Sequence, residues 1–196
     1  MIVTPVSHGL DEFLGKSTGH RSEGCHASQI YNDLFSDLEP DRFSRDSSPD
    51  PLKLEFGLAL ESMLEEGLRQ RIVGSAERPP EQVTDEGIYF SPDLIVFNGA
   101  TRLGEIKLTW MSSREMPTAQ ANGLPPKFEK WVVQMKFYCR ALALADARLL
   151  AFFVNGDYGK NRGPQLRAWD ISFTRRELDD NYRMLLAHAR RKGMLK

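Results

Sequence analysis

The chain has 196 residues, 41% of them hydrophobic and 27% charged, which is enough for one full-sized domain with a real core. Its formal net charge is −1, so bulk charge does not mark it as a polyanion binder. It has no run of ~18 apolar residues to span a membrane, and its first residues, MIVTPVSHGLDEF, are not a secretory signal. Two cysteines, Cys25 and Cys139, suit unpaired thiols in a reducing, cytoplasmic compartment.

Residues 1–25 are rich in Gly, Ser and His without periodicity and read as a flexible N-terminal arm. Residues 26–196 read as one domain. A short helix is predicted over 26–38, with Ile30, Leu34 and Leu38 at spacings of four. After a polar loop, a second helix runs from about Lys53 to Arg71, with Phe56, Leu60, Met63, Leu64 and Leu68 on its apolar face. Residues 74–86 read as a polar connection through Pro79-Pro80. A hairpin follows, from strand Asp93–Phe97 to strand Arg102–Thr109, turned at Asn98-Gly99. Residues 110–127 form a long loop with three prolines.

A third helix is predicted over Phe128–Leu144, with Trp131, Met135, Tyr138 and Leu142 on one face. The apolar strand Arg148–Asn155, a turn carrying Lys160 and Arg162, and the return strand Gln165–Ile171 come next. Thr174 and Glu177 form a capping-box pattern for a last helix, and Gly193 sits just past its end. This order predicts a single α/β domain with a central mixed β-sheet flanked by helices.

The hairpin concentrates the chemistry. Glu105 and Lys107 share a strand face, with Ile106 and Leu108 pointing the other way into the core. With a three-residue loop from Asn98 to Ala100, Phe97 faces Thr101 and Asp93 faces Glu105. A two-residue loop would turn Asp93 to the wrong face. Opposed carboxylates repel unless a cation lies between them. Pro92 cannot join the ladder and bends the chain just before Asp93. Gln134 and Tyr138, four apart, project from one helix face. Tyr138 also fits the core stripe with Trp131 and Met135. No phosphate-binding loop or nucleophile elbow is present, and His8, His20, His26 and His188 lack metal-ligand spacing.

Ser91-Pro92-Asp93, Glu105-Ile106-Lys107 and Gln134-x-x-x-Tyr138 together resemble the PD-(D/E)XK nuclease superfamily, in its RecB-like and lambda-exonuclease-like branch. The resemblance runs from about Glu55 to Tyr138. It implies a restriction-endonuclease-like core and a Mg²⁺- or Mn²⁺-dependent deoxyribonuclease. An exonuclease of phage or bacterial recombination or repair fits best, and the alternatives are an endonuclease or an inactive binding module. It implies that Asp93, Glu105 and the Ile106 carbonyl hold metal. Glu61, in Gly57-x-x-x-Glu61, would add a helix-borne ligand, with Glu65 as its competitor; this helix lacks the histidine of many RecB-like members. Lys107 would orient the attacking water, Gln134 and Tyr138 would support the DNA and the site, and Arg114 would close over the strand from its loop. His26 would lie nearby. Two cysteines exclude a four-cysteine iron–sulfur cluster. DNA is the implied partner, with a homo-oligomer or a repair protein supplying further affinity.

Overall fold

Asn98-Gly99 does close a hairpin, and Gly99 takes the left-handed conformation (φ +71°) that a tight turn asks of glycine. The computed structural model describes residues 22–43, 55–60, 62, 63, 67, 75–159 and 163–195. In chain order the elements are β1 (Cys25–His26), α1 (Ala27–Leu38), a helical segment over residues 55–60, β2 (Ser75–Glu77), β3 (Gln82–Val83), β4 (Ile88–Phe90), β5 (Leu94–Asn98) and β6 (Ala100–Thr109). Short 3₁₀ turns at Ser113–Glu115 and Pro126–Phe128 lead to α2 (Glu129–Ala141), β7 (Asp146–Phe153), β8 (Gln165–Ser172) and α3 (Arg175–Arg191).

Five strands form a mixed sheet in the order β2-β5-β6-β7-β8, in which only β6 and β7 run parallel. That parallel pair needs a crossover, and α2 supplies it. A second sheet has the order β1-β4-β3. The protein is thus a single-domain α/β fold with its central mixed sheet flanked by helices, as the element order predicts. Two expectations fail locally. Residues 74–86 contain β2 and β3 rather than a bare connection, because strands of two or three residues show no periodicity. The last residues of the predicted arm belong to the fold: Ser22 bonds to Glu81 and Cys25 pairs with Ile88.

The two faces of the large sheet bury different cores. On the Leu103 and Glu105 side, Leu149 and Phe153 pack under Ile30 and Leu34 of α1, Phe137 of α2 and Leu185 of α3. On the other side Leu94, Val96, Ile106 and Leu150 make a smaller cluster. Ile106 does point into a core, as expected, but the face carrying Glu105 meets the larger one.

Local sequence accounts for the helix ends. Thr174 Oγ1 accepts from the Glu177 amide at 3.3 Å, and the Glu177 carboxylate accepts from the Thr174 amide at 2.8 Å, closing the predicted capping box. Gly193 (φ +69°) lets the Met194 amide reach back to the Ala189 carbonyl, ending α3. The buried Asn181 donates to the Val133 carbonyl at 3.0 Å and ties α3 to α2.

On the far strand pair, Arg148 grips Asp170 through two hydrogen bonds of 2.7 and 2.9 Å. The Arg148 hydrogen bonds hold the Asp170 carboxyl below its usual value. A folded-state pKa below the unfolded one gives stability that is present at neutral pH and lost as pH falls through the folded value. The melting temperature of wild type should therefore exceed that of Asp170→Asn at pH 7, with the gap narrowing as pH drops below about 5. A gap unchanged down to about pH 3 would contradict the ion pair's role.

Candidate active site

β5 stops at Leu94 while β6 runs on through Thr109, and the site forms where β6 outlasts its partner. The ladder pairs Leu94 with Gly104 and Phe97 with Thr101. That register is the one derived above from a three-residue loop, and one step further it sets Asp93 against Glu105. The next step would set Pro92 against Ile106. Proline has no N–H to give the Ile106 carbonyl, and the Ile106 amide instead donates to Asp93 Oδ2 at 2.8 Å. A strand residue's N–H and C=O point to the same side, so the Ile106 carbonyl also faces the end of β5. Pro92 and Asp93 together turn a finished ladder into a patch of oxygen atoms.

Gly104 sets how closely these strands approach. A Cβ there would lie 2.8 Å from Leu94 Cβ and 3.1 Å from Val96 Cγ2. We expect Gly104→Ala to push β5 away, displacing Asp93, at a cost of about 1–3 kcal/mol in urea unfolding. A variant as stable as wild type would show that the strands yield freely.

Glu105 is fully buried, with no exposed surface. Its Oε1 accepts from Lys107 Nζ at 2.5 Å and from Gln134 Nε2 at 2.6 Å. The Gln134 carbonyl oxygen in turn accepts from Lys107 Nζ at 2.9 Å. One amide therefore bonds to an acid and an ammonium together, and α2 supplies it from the face that covers β6. Burial weakens Lys107's hold on its proton, but the charges of Glu105 and Asp93 outweigh this and raise its pKa above the usual lysine value. Burial pushes the Asp93 carboxyl up, partly offset by Lys107, the Ile106 amide and Arg78.

Tyr138 is 4% exposed and packs on Phe90 at a centroid distance of 5.3 Å. Its hydroxyl lies near Gln134 and near the phenol of Tyr31 in α1. Tyr138 is thus part of the core, with almost no surface left to offer a ligand. Tyr31 was not singled out from the sequence, because it hides beside the apolar stripe of α1. Burial pushes its phenol up to about 12, so it stays a neutral hydrogen-bonding group.

The remaining candidates lie elsewhere. Arg114 leaves the cluster for Asp157 Oδ2, 3.6 Å away. Its loop is tied down by Trp169 Nε1 donating to the Pro117 carbonyl at 2.8 Å, and by the Ser113 amide donating to Gly156. His26 faces Glu81, the Ser22 carbonyl and Tyr89 rather than the site residues. Glu61 and its competitor Glu65 fall outside the described residues, as do Lys160 and Arg162. In the helical segment over residues 55–60, Gly57 approaches Leu108, on the sheet face opposite Glu105.

Asp93, Glu105 and the Ile106 carbonyl could offer a cation only oxygen, which fits a hard cation such as Mg²⁺ or Mn²⁺ better than zinc, with its histidine and cysteine ligands. A second acidic group, Asp33, Asp37 and His188, offers ligand atoms within 4.8 Å of one another. Lys192 already bridges both of those aspartates, at 3.6 and 2.7 Å, which makes this an ion-pair cluster joining α1 to α3.

No protein-family model matches the chain, and no curated protein does. Among solved structures it is similar to SSO0001, at 12% identity and TM-score 0.48, over 88% of this chain and 78% of that one. It is also similar to the alkaline exonuclease LHK-Exo of Laribacter hongkongensis, at 14% identity and TM-score 0.49, over 86% of this chain and 89% of that one. The same exonuclease in complex with dAMP gives 13% identity and TM-score 0.49, with the same coverage.

Proposed function

We propose that the chain is a Mg²⁺- or Mn²⁺-dependent deoxyribonuclease, acting as an exonuclease in phage or bacterial DNA recombination or repair. The observation that carries this reading is the buried Glu105–Lys107 pair, locked by Gln134 and set across the strands from Asp93. In this reading Asp93, Glu105 and the Ile106 carbonyl hold the cation, joined by Glu61 or Glu65. A bound divalent cation supplies charge stabilisation at the scissile phosphate and a more acidic water. Lys107 holds the attacking water in line. Gln134 fixes both Glu105 and Lys107, and Tyr138 supports it from the same helix face. Arg114 contacts the DNA outside this centre.

The test is cleavage of linear and covalently closed circular duplex DNA with Mg²⁺, comparing wild type with Lys107→Ala. Loss of linear DNA alone, abolished in the variant, is the expected result. Cutting of the circle would replace the exonuclease with an endonuclease. Cutting by neither protein, with Mg²⁺ or Mn²⁺, would favour a nuclease fold that serves as a binding module.

A further inference from the structure

One helical turn of α2 separates Lys130 from Gln134. Lys130 stands four residues before it and so projects from the same face of α2. Lys130 Nζ lies 4.8 Å from the centre of the Phe43 ring, and the Arg42 guanidinium lies 4.9 Å from the same ring. Two cations thus converge on one aromatic ring at the rim of the candidate active site. Arg42 is fixed there by the Lys127 carbonyl, at 2.5 Å, and by Glu39, at 3.1 Å. Among the described residues no carboxylate pairs with Lys130, although it is half-buried.

Like charges gathered on one ring repel, and an aromatic face offsets only part of that cost. Burial first, then the charges of Lys107 and Arg42, hold the Lys130 pKa below lysine's usual value. The arrangement has the character of an anion site. Its position one helical turn from the amide that fixes Glu105 and Lys107 points to an anion belonging to the same substrate.

We propose that Arg42 and Lys130, over Phe43, form a phosphate-binding subsite that grips a backbone phosphate of the DNA strand next to the one being cut. This rests on the nuclease reading above. It places the strand along α2, with Lys130 acting as a positioning residue and not in the chemistry.

The test separates binding from cleavage. Anisotropy of a labelled duplex oligonucleotide, with Ca²⁺ as the only divalent cation, is followed against salt for wild type, Lys130→Gln and Lys130→Arg. Lys130→Gln should weaken binding about tenfold and lower the slope of log K against log salt by about 0.9, the share of one lost phosphate contact. In cleavage with Mg²⁺, KM should rise by a similar factor, with a much smaller change in kcat. Lys130→Arg should restore both. Wild-type affinity and slope in Lys130→Gln, beside an active wild type, would overturn the subsite alone. So would a fall in kcat with unchanged binding, or a loss of melting temperature that tracks the loss of affinity. A wild-type chain that neither binds nor cuts DNA would overturn the nuclease reading, and the subsite with it.

Discussion

Without divalent cations, Lys107→Met should lose about 3–5 kcal/mol of folding stability, far more than a surface lysine would. The reason is the fully buried Glu105 carboxylate, to which Lys107 contributes the balancing charge at 2.5 Å. Methionine fills the same volume and removes only the charge, so the cost is that of a buried carboxylate deprived of its counter-charge. Gln134 would still donate to Glu105, but its carbonyl would lose the ammonium it accepts from. The double variant Lys107→Met/Glu105→Gln should recover most of the loss, since neither charge then remains. Added Mn²⁺ should raise the melting temperature of Lys107→Met more than that of wild type, because ligand that binds only the folded state stabilises it. A loss below about 1 kcal/mol would mean that water reaches Glu105 and the pair behaves as a surface ion pair.

Phe137→Ala should cost a similar amount, about 3–5 kcal/mol, for a different reason. Phe137 has no exposed surface. It meets Phe90 of β4 edge-on at 5.9 Å and stacks on Tyr182 of α3 at 5.2 Å. Truncation opens a cavity where the small sheet, α2 and α3 converge, and none of these can collapse inward without moving the others. Chemical denaturation with an unchanged m-value checks this. Activity measured well below the melting temperature separates folding from chemistry, because Phe137 precedes Tyr138, which shares a helix face with Gln134. Phe137→Leu, with most of the volume kept, should lose far less.

The hairpin was legible because its signals are local. Asn98-Gly99 names the turn, and the spacing of Asp93 and Glu105 leaves one register in which both acids meet. Gln134 stood out through the resemblance to a Gln-x-x-x-Tyr motif, and helix spacing projects it on one face with Tyr138. The small sheet was not, because β1 and β3 are two residues each and draw their stability from pairing rather than from pattern. Pro79-Pro80 pointed to a loop, and β2 and β3 lie on either side of it. Helix α2 read as amphipathic but is buried on more than one side, with Val133, Gln134 and Phe137 inside along with Met135 and Tyr138. Tyr31 and Lys130 escaped notice for a shared reason: each gains meaning only from a neighbour far along the chain.

The parallel pairing of β6 with β7 also sets an order of assembly. β5 and β6 are joined by a tight turn and can zip without the rest of the chain. Leu103 finds Ala147, and Lys107 finds Ala151, only after the intervening loop and α2 have been brought round. Such distant pairings carry the loop-closure entropy that slows folding. Gln134 rides on that same crossover. A chain still emerging from the ribosome, or one caught partway through refolding, would hold Asp93, Glu105 and Lys107 on a nearly finished hairpin without the amide that aligns them. Competence would then arrive as a late event, coincident with docking of the crossover helix.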